Sequence, residues 1–164
     1  MACPMCREPH HRLGRRNALE ALAVAPRAIR ASLRGASRGR LARRPAPREW
    51  SPTEIIGHLL DAEVALGFRI RKLAAEPGGV IVAWDQERWT EGLRHRRGDV
   101  RTLLEAYAAL RAANVEQVRR MTPAQRVAGA RHPEYGRLRV RDMLEHWAEH
   151  DLNHLAQIRA ALAG

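Results

Sequence analysis

The chain has 164 residues, a formal net charge of +11 and a sequence isoelectric point near 11.4, with 45% hydrophobic and 29% charged residues. This length suits one globular domain and excludes a large multidomain enzyme. The charge is uneven, because residues 1–50 contain 12 Arg and 3 Glu whereas residues 51–164 contain 17 basic and 15 acidic residues. We therefore expect no specific nucleic-acid partner, although an Arg-rich N-terminal third that binds nucleic acid remains an alternative hypothesis.

The N-terminal residues carry no convincing export or membrane signal. Arg15 and Arg16 resemble the start of a twin-arginine signal, but the apolar stretch that follows at 21–26 is too short. No apolar run approaches the roughly 18 residues of a membrane span. The two cysteines, Cys3 and Cys6, lie too close together to form a disulfide framework, so we expect a cytoplasmic protein without a membrane partner.

Residues 1–13 are expected to form a flexible N-terminal tail, followed by one domain at 14–164. The two cysteines of the tail, together with His10 and His11, resemble half of a zinc site. No second half follows, so we interpret this segment as a disordered tail.

The spacing of apolar residues predicts four long helices. Ser51 and Glu54 have the spacing of a capping box, and Pro52 suits the first position of a helix. Pro26 is expected to kink the first helix. The predicted helices span about 17–40, 52–76, 100–121 and 140–163.

The segments between the predicted helices complete the fold prediction. Residues 77–99 form a long connection with a short helix around 85–91. A short turn or helix is predicted to begin at residues 122–123, and residues 132–136 are interpreted as a loop. No stretch of the sequence keeps the alternation of apolar and polar residues that is typical of a β-strand. The sequence therefore predicts an all-α four-helix bundle with a long crossover between the second and third helices.

Three of the eight histidines, His146, His150 and His154, lie on the last predicted helix at four-residue spacing. At about 100° per residue, His150 and His154 fall within the apolar stripe that faces the core, and His146 falls at its edge. Two inward-facing imidazoles are costly to bury unless something satisfies both rings, and a metal ion does so. His58 borders the core stripe of the second helix and is the candidate third ligand.

Each histidine also has a simpler interpretation. His58 alone is more often a hydrogen-bonded core residue than a ligand. His146 is expected to support the site or to lie half exposed, with a role as an extra ligand as the alternative. His95 and His132 fall in predicted connections and are interpreted as surface residues.

Four segments of the chain resemble the DinB-like (DinB/YfiT) superfamily. Residues 50–60, WSPTEIIGHLL, resemble the second-helix motif of this superfamily, and residues 146–158, HWAEHDLNHLAQI, resemble its C-terminal motif. Residues 45–47 and 84–89 also resemble the corresponding segments of superfamily members. The Arg-rich start with its two cysteines departs from the family pattern.

The resemblance implies a DinB-like four-helix bundle that holds a divalent metal ion, with zinc or nickel expected, on His58, His150 and His154. It also implies a homodimer and a small-molecule substrate. Some relatives are thiol S-transferases that use mycothiol, bacillithiol or glutathione, and others are described as metal-dependent hydrolases. We therefore expect a metal-dependent enzyme of thiol S-transferase type with a low-molecular-weight thiol as a second cofactor; the alternatives are a metal-dependent hydrolase and a non-catalytic, metal-stabilised binding module.

The sequence assigns no catalytic residue. A metal-bound thiol and a metal-bound water both need an open coordination position, so the ligands alone do not distinguish the two reactions. Asp151 stands where a zinc protease helix has Glu and is expected to point away from the site, which argues against a protease. Four further residues are weaker candidates for the surroundings of the site, each with a simple packing role as the alternative: Asp85, Trp89, Asn114 and Gln157.

Overall fold

The computed structural model describes residues 11–163, and its main elements are four long helices. These four helices confirm the predicted all-α bundle. Shorter helices, a 3₁₀ turn and a small two-stranded sheet connect them. In chain order the elements are α1 (Ala18–Ser32), α2 (Arg38–Ala42), α3 (Pro52–Ala75), α4 (Gln86–Gly92), the 3₁₀ turn His95–Arg97, α5 (Val100–Arg120), α6 (Pro123–Val127), β1 (Gly129–His132), β2 (Gly136–Arg139) and α7 (Val140–Ala163).

The four long helices bury their apolar faces against one another. Helices α1 and α3 each contact both α5 and α7. The long connection between α3 and α5 carries α4, so the predicted crossover is confirmed. Two apolar clusters fill the bundle: one is centred on Trp147 and Leu66, and the other on Ile56 and Ile158.

The start of α3 has the local structure that the sequence predicts. The Ser51 side chain accepts a hydrogen bond from the Glu54 N–H, and the Glu54 carboxylate accepts one from the Ser51 N–H at 2.8 Å. Pro52 occupies the first turn, where its missing N–H costs nothing. Arg44 forms an ion pair with the same Glu54 carboxylate, which anchors the preceding segment to the start of the helix. These contacts fix where α3 begins, six residues before His58.

Two expectations about secondary structure were wrong. The first helix ends at Ser32 instead of continuing to residue 40, because Gly35 adopts a φ of +75° and a separate α2 follows. Residues 129–139 form an antiparallel hairpin instead of a loop, with Ala130 paired to Leu138. The alternation of buried and exposed residues is present in this hairpin, but each strand has only four residues. An isolated bridge between Val80 and Arg131 joins the hairpin to the crossover.

Residues just before α1 are attached to α7. The Glu149 carboxylate accepts hydrogen bonds from the backbone N–H groups of Arg12 (3.0 Å) and Leu13 (2.6 Å), and Leu13 is buried. The packed part of the chain therefore begins before the predicted boundary at residue 14. The interpretation of Cys3, Cys6 and His10 lies outside the described residues. Within residues 11–163, no helix is both long enough and apolar enough to cross a membrane.

Candidate metal centre

Three histidines from α3 and α7 converge inside the bundle. The Nε2 atoms of His58 and His150 lie 2.8 Å apart, and those of His150 and His154 lie 3.1 Å apart. One ring nitrogen from each residue lies within 4.8 Å of the other two. His58 is fully buried, His154 is 8% exposed, and the His150 side chain is 17% exposed. The structure therefore brings together the three residues that the sequence selected.

The three rings carry too few N–H groups to satisfy every nitrogen of the cluster. A neutral imidazole carries one N–H, and an amide oxygen only accepts. Because Oε1 of Gln157 lies 2.7 Å from Nδ1 of His154, that Nδ1 carries the proton and the Nε2 lone pair of His154 faces His150. A single proton on His150 Nε2 can satisfy only one of its two neighbouring nitrogens. A cation at the centre would satisfy all three, so the residues present fit a divalent metal ion.

His58 and His154 are neutral in the folded protein. Burial, together with the smaller effect of the neighbouring His150, lowers the pKa of His154 to about 3. Burial, followed by the nearby His150 and His154, lowers the pKa of His58 far below its ordinary value. Neutral imidazole is the form that binds metal ions.

Two of the nitrogen–nitrogen separations are close to those of tetrahedral coordination. Zinc–nitrogen bonds of about 2.0–2.1 Å at tetrahedral angles place neighbouring ligand atoms roughly 3.3 Å apart. The two measured separations, 2.8 and 3.1 Å, are slightly shorter. Small movements of the rings would therefore seat an ion.

Two tryptophans cover the histidine cluster. The ring of Trp50, just before α3, has its centroid 4.8 Å from that of His58. Trp84, from the crossover, stacks on His58 at 5.7 Å with an interplanar angle of 11°. Trp89 packs edge-on against Trp84 at 5.0 Å. These apolar rings limit the access of water to His58 and raise the strength of electrostatic interactions there.

Two cavities reach the cluster from different sides. The first, of about 600 Å³, extends to His150 and is also lined by Trp84. The second, of about 550 Å³, extends to His154 and is lined by Trp50. Residues of α4, Gln86 and Glu87 among them, border both cavities. The cluster thus has an approach for a small molecule on each side.

A buried ionic network that the sequence analysis missed lies behind His150. Arg111 of α5 is 1% exposed, and it donates hydrogen bonds to Asp151 Oδ2 and Glu63 Oε1, each at 2.6 Å. The Tyr107 hydroxyl donates to the same Asp151 oxygen at 3.1 Å. Asp151 Oδ1 lies 3.5 Å from Nδ1 of His150. The carboxylate is therefore directed away from the centre of the cluster, as expected, but it contacts the outer nitrogen of one histidine.

Arg111 determines the charge on the carboxylates around it. Burial raises the pKa of Asp151, but the Arg111 guanidinium outweighs this effect and brings the pKa down to about 2. Burial raises the pKa of Glu63 to about 7, against the opposing effect of Arg111. Asp151 is therefore the ionised partner of Arg111 across the neutral range. The signal for this network was present in the sequence, since Arg111 lies between Tyr107 and Asn114 on the core face of α5.

The weaker sequence candidates have different surroundings. Gln157 orients His154, and Asp85 caps α4 and lines the first cavity. Asn114 donates to Glu63 Oε2 at 2.8 Å and so belongs to the buried network instead of a cavity. Trp89 supports Trp84. His146 has its ring centroid 6.4 Å from that of His150 and lines the first cavity outside the three-histidine cluster.

The interpretation of His95 and His132 as surface residues was wrong. His95 is 7% exposed, and its Nε2 lies 2.6 Å from Asp61 Oδ2 on α3. His132 is 2% exposed, and its Nδ1 accepts a hydrogen bond from the Glu134 N–H at 3.2 Å. Both residues lie in connections that fold back onto the bundle, and helical periodicity gives no information about such segments.

The fold and the site together define a four-helix-bundle protein with a candidate three-histidine metal centre. Residues 21–158 match the family model of the DinB superfamily, and the chain belongs to that superfamily.

Comparisons with individual proteins agree with this assignment. The chain is 26% identical over 109 residues to a protein from Oceanobacillus iheyensis named as a candidate metal-dependent hydrolase. That match covers 66% of this chain and 63% of the relative, so the chain spans less than two thirds of the length of this relative. Among solved structures, the fold resembles YfiT from Bacillus subtilis, described as a candidate metal-dependent hydrolase with an unusual four-helix bundle topology. The TM-score is 0.83 at 18% identity, over 89% of this chain and 84% of YfiT.

Proposed function

We propose that the protein is a divalent-metal-dependent enzyme in which His58, His150 and His154 are the metal ligands. The observation that carries this proposal is the convergence of the Nε2 atoms of His58, His150 and His154, where a single ring proton can satisfy only one of the two close pairs. Three imidazole ligands with a fourth position open to a cavity are typical of catalytic zinc sites, whereas structural zinc sites are closed by four protein ligands. Zinc or nickel suits an imidazole donor set.

A bound divalent ion supplies one kind of chemistry here: it lowers the pKa of a thiol or a water molecule that contacts it. The residues of the chain prepare the ligands for this role. Gln157 accepts the Nδ1 proton of His154 and so directs the lone pair of that ring inward. Asp151 lies beside Nδ1 of His150 and stays ionised through Arg111. Trp50 and Trp84 limit the access of water to His58.

Of the possible reactions, we propose transfer of a low-molecular-weight thiol to an electrophilic substrate. The specific support is the presence of two cavities that reach different histidines, since a thiol and an electrophile each need their own binding space. With the thiol in one cavity and the electrophile in the other, the thiolate sulfur would attack the electrophilic carbon beside the cluster, the thiol proton would pass to solvent, and the leaving group would depart with the electron pair of the broken bond. Holding the two reactants next to each other in this way would accelerate their reaction.

A metal-dependent hydrolase is the second candidate. Its support is the description of both relatives as candidate metal-dependent hydrolases. In that reaction water takes the place of the thiol, and only one cavity holds an organic molecule.

Metal analysis tests the ligand assignment. We expect the wild-type protein to bind one equivalent of Zn²⁺ and His154→Ala to lose most of this binding, because two ligands remain. His146→Ala is the matched control, since it removes the same ring about two turns earlier on α7 and outside the cluster. Stoichiometric Zn²⁺ in His154→Ala, measured by equilibrium dialysis and elemental analysis, would contradict the proposal.

Turnover measurements separate the reactions. Zinc-loaded, nickel-loaded and metal-free protein would be incubated with an electrophile such as monochlorobimane and with glutathione, bacillithiol or mycothiol, and separately with activated esters and amides. Thiol-dependent, metal-dependent turnover supports the transferase, and thiol-independent hydrolysis supports the hydrolase. Metal that raises the melting temperature without turnover on either panel would indicate a metal-stabilised binding module.

A further inference from the structure

The first cavity contains a buried cation that the metal chemistry does not use. Arg69 of α3 is 6% exposed and lines the cavity that extends to His150. Its Nε and Nη2 both donate to the carbonyl oxygen of Val82, at 3.2 and 2.6 Å. A guanidinium has five N–H bonds, and Val82 accepts two of them. The contacts with Val82 fix the group without neutralising its charge.

The position of Arg69 on α3 places it in line with the metal ligand His58. Eleven residues separate them, and eleven steps of about 100° return a helix to within roughly 20° of the same face. The rise over those steps is about 16 Å. Ala62 and Leu66 lie between them and line the same cavity. The arginine side chain is long and flexible, so a ligand held between its guanidinium and the histidines would span roughly 10–16 Å.

The β-hairpin adds an aromatic wall and a second donor beside Arg69. His132 and Tyr135 stack with centroids 4.4 Å apart, and both line the cavity. Since Nδ1 of His132 accepts from the Glu134 N–H, the proton of the neutral ring lies on Nε2, which is a donor. Burial and the charge of Arg69 both lower the pKa of His132, which agrees with the neutral form.

The other charged residues of the cavity favour a singly charged anion. Asp85, Glu87 and Glu134 also line it, but all three are exposed, whereas Arg69 is buried. The three exposed carboxylates would repel a phosphate dianion more strongly than a carboxylate monoanion, and the one buried cation balances a single negative charge. The planar guanidinium also matches the geometry of a carboxylate.

We infer that Arg69, with His132 beside it, forms a carboxylate-binding subsite for an elongated substrate whose reacting group lies at His150. The substrate class is an organic monoanion with its carboxylate about 10–16 Å from the reacting atom and an apolar middle that lies over Ala62 and Leu66. The position of the reacting group rests on the proposed metal-centred function, whereas carboxylate binding by Arg69 does not.

The first test uses metal-free protein, so that it does not depend on the metal. Octanoate and octan-1-ol would be titrated separately, with the intrinsic tryptophan fluorescence, to which Trp84 in the cavity contributes, as the readout. We expect octanoate to bind at least about tenfold more tightly than the alcohol, because a hydrogen-bonded charge is worth that much or more. Arg69→Gln should abolish the preference and Arg69→Lys should keep a weaker one. Arg101→Gln, an exposed arginine at the start of α5, is the matched control.

The second test uses zinc-loaded protein and a series of ω-mercaptoalkanoates of increasing chain length, with the matching mercaptoalcohols as controls. Calorimetry should show an affinity optimum at the chain length that spans the cavity, for the carboxylates alone, and Arg69→Gln should remove it. Equal affinities of octanoate and octanol in the wild type, or a preference retained in Arg69→Gln, would overturn the subsite. A carboxylate preference in the metal-free protein without a chain-length optimum in the zinc form would support the subsite and overturn its role in a metal-centred reaction. Melting temperatures of all variants verify folding.

Discussion

The side-chain oxygen Oε1 of Gln157 lies 2.7 Å from Nδ1 of His154, three residues earlier on α7. The contact fixes the tautomer of the ring and presents its Nε2 lone pair to His150. It also holds the ring plane, so that His154 does not rotate away from the cluster. Gln157 therefore prepares a ligand nitrogen without contacting the centre of the site itself.

Replacing Gln157 by Leu should lower the affinity for Zn²⁺ by about 10–100-fold, the usual effect of losing a partner that orients a ligand. Competition with a chromophoric chelator measures this affinity. Gln117→Leu, on α5 outside both cavities that reach the cluster, is the matched control and should leave the affinity unchanged. Equal affinities of the wild type and Gln157→Leu would show that the contact does not orient the ligand.

The three clustered histidines and the start of α3 were predictable because both depend on local spacing. A four-residue interval places His150 and His154 on one helix face, and the capping box at Ser51 is complete within four residues. The bundle follows from long amphipathic segments, whose periodicity is strong. The convergence of His58 with the other two was suggested by its position beside the core stripe, and the family resemblance strengthened it.

The parts that were not predicted depend on contacts between distant segments. His95 is buried because the crossover folds it onto Asp61, 34 residues earlier, and no periodicity encodes that contact. The hairpin around His132 consists of four-residue strands that are too short to show a clear pattern. Arg111 is buried because Glu63 and Asp151, from two other helices, neutralise it.

Acidification should destabilise the metal-free protein. The pKa of His154 is lowered by burial to about 3, whereas an unfolded histidine titrates near 6.5. The unfolded state therefore binds more protons than the folded state between about pH 6.5 and 3. The contribution of His154 to stability is complete above that window and is lost as the pH falls through it, with a slope of up to about 1.4 kcal/mol per pH unit.

Urea denaturation of metal-free protein from pH 7.5 to 4.5 measures this dependence. The comparison variant is His154→Leu, which removes one titrating group. Its free energy of unfolding should depend less steeply on pH, by the equivalent of about one proton. His58, whose pKa burial also lowers, keeps part of the slope in that variant. The assignment of a neutral His154 would be wrong if both proteins had the same slope.

Removal of the buried Arg111 charge should be strongly destabilising. Arg111→Met keeps much of the side-chain volume but leaves the carboxylates of Asp151 and Glu63 buried without a cation. Breaking a buried ion pair in this way costs about 3–5 kcal/mol of the free energy of unfolding. Arg101→Met changes an exposed arginine of the same helix and should stay within about 0.5 kcal/mol of the wild type. Chemical denaturation at pH 7 measures both, and similar stabilities of the two variants would mean that the network contributes little.

Gly57 is required because His95 lies against α3 at that position. A Cβ on Gly57 would lie 2.3 Å from Cγ of the His95 ring, which is held by its contact with Asp61. Gly57→Ala should therefore displace the ring and cost about 1–3 kcal/mol, despite the better helix propensity of Ala. Gly92→Ala, in α4, is the control, since nothing lies within 4 Å of the added methyl group. Thermal unfolding should show a lower melting temperature for Gly57→Ala than for Gly92→Ala. The double variant Gly57→Ala,His95→Ala should recover part of the loss. If the double variant is no more stable than Gly57→Ala, a clash with His95 is not the cause of the destabilisation.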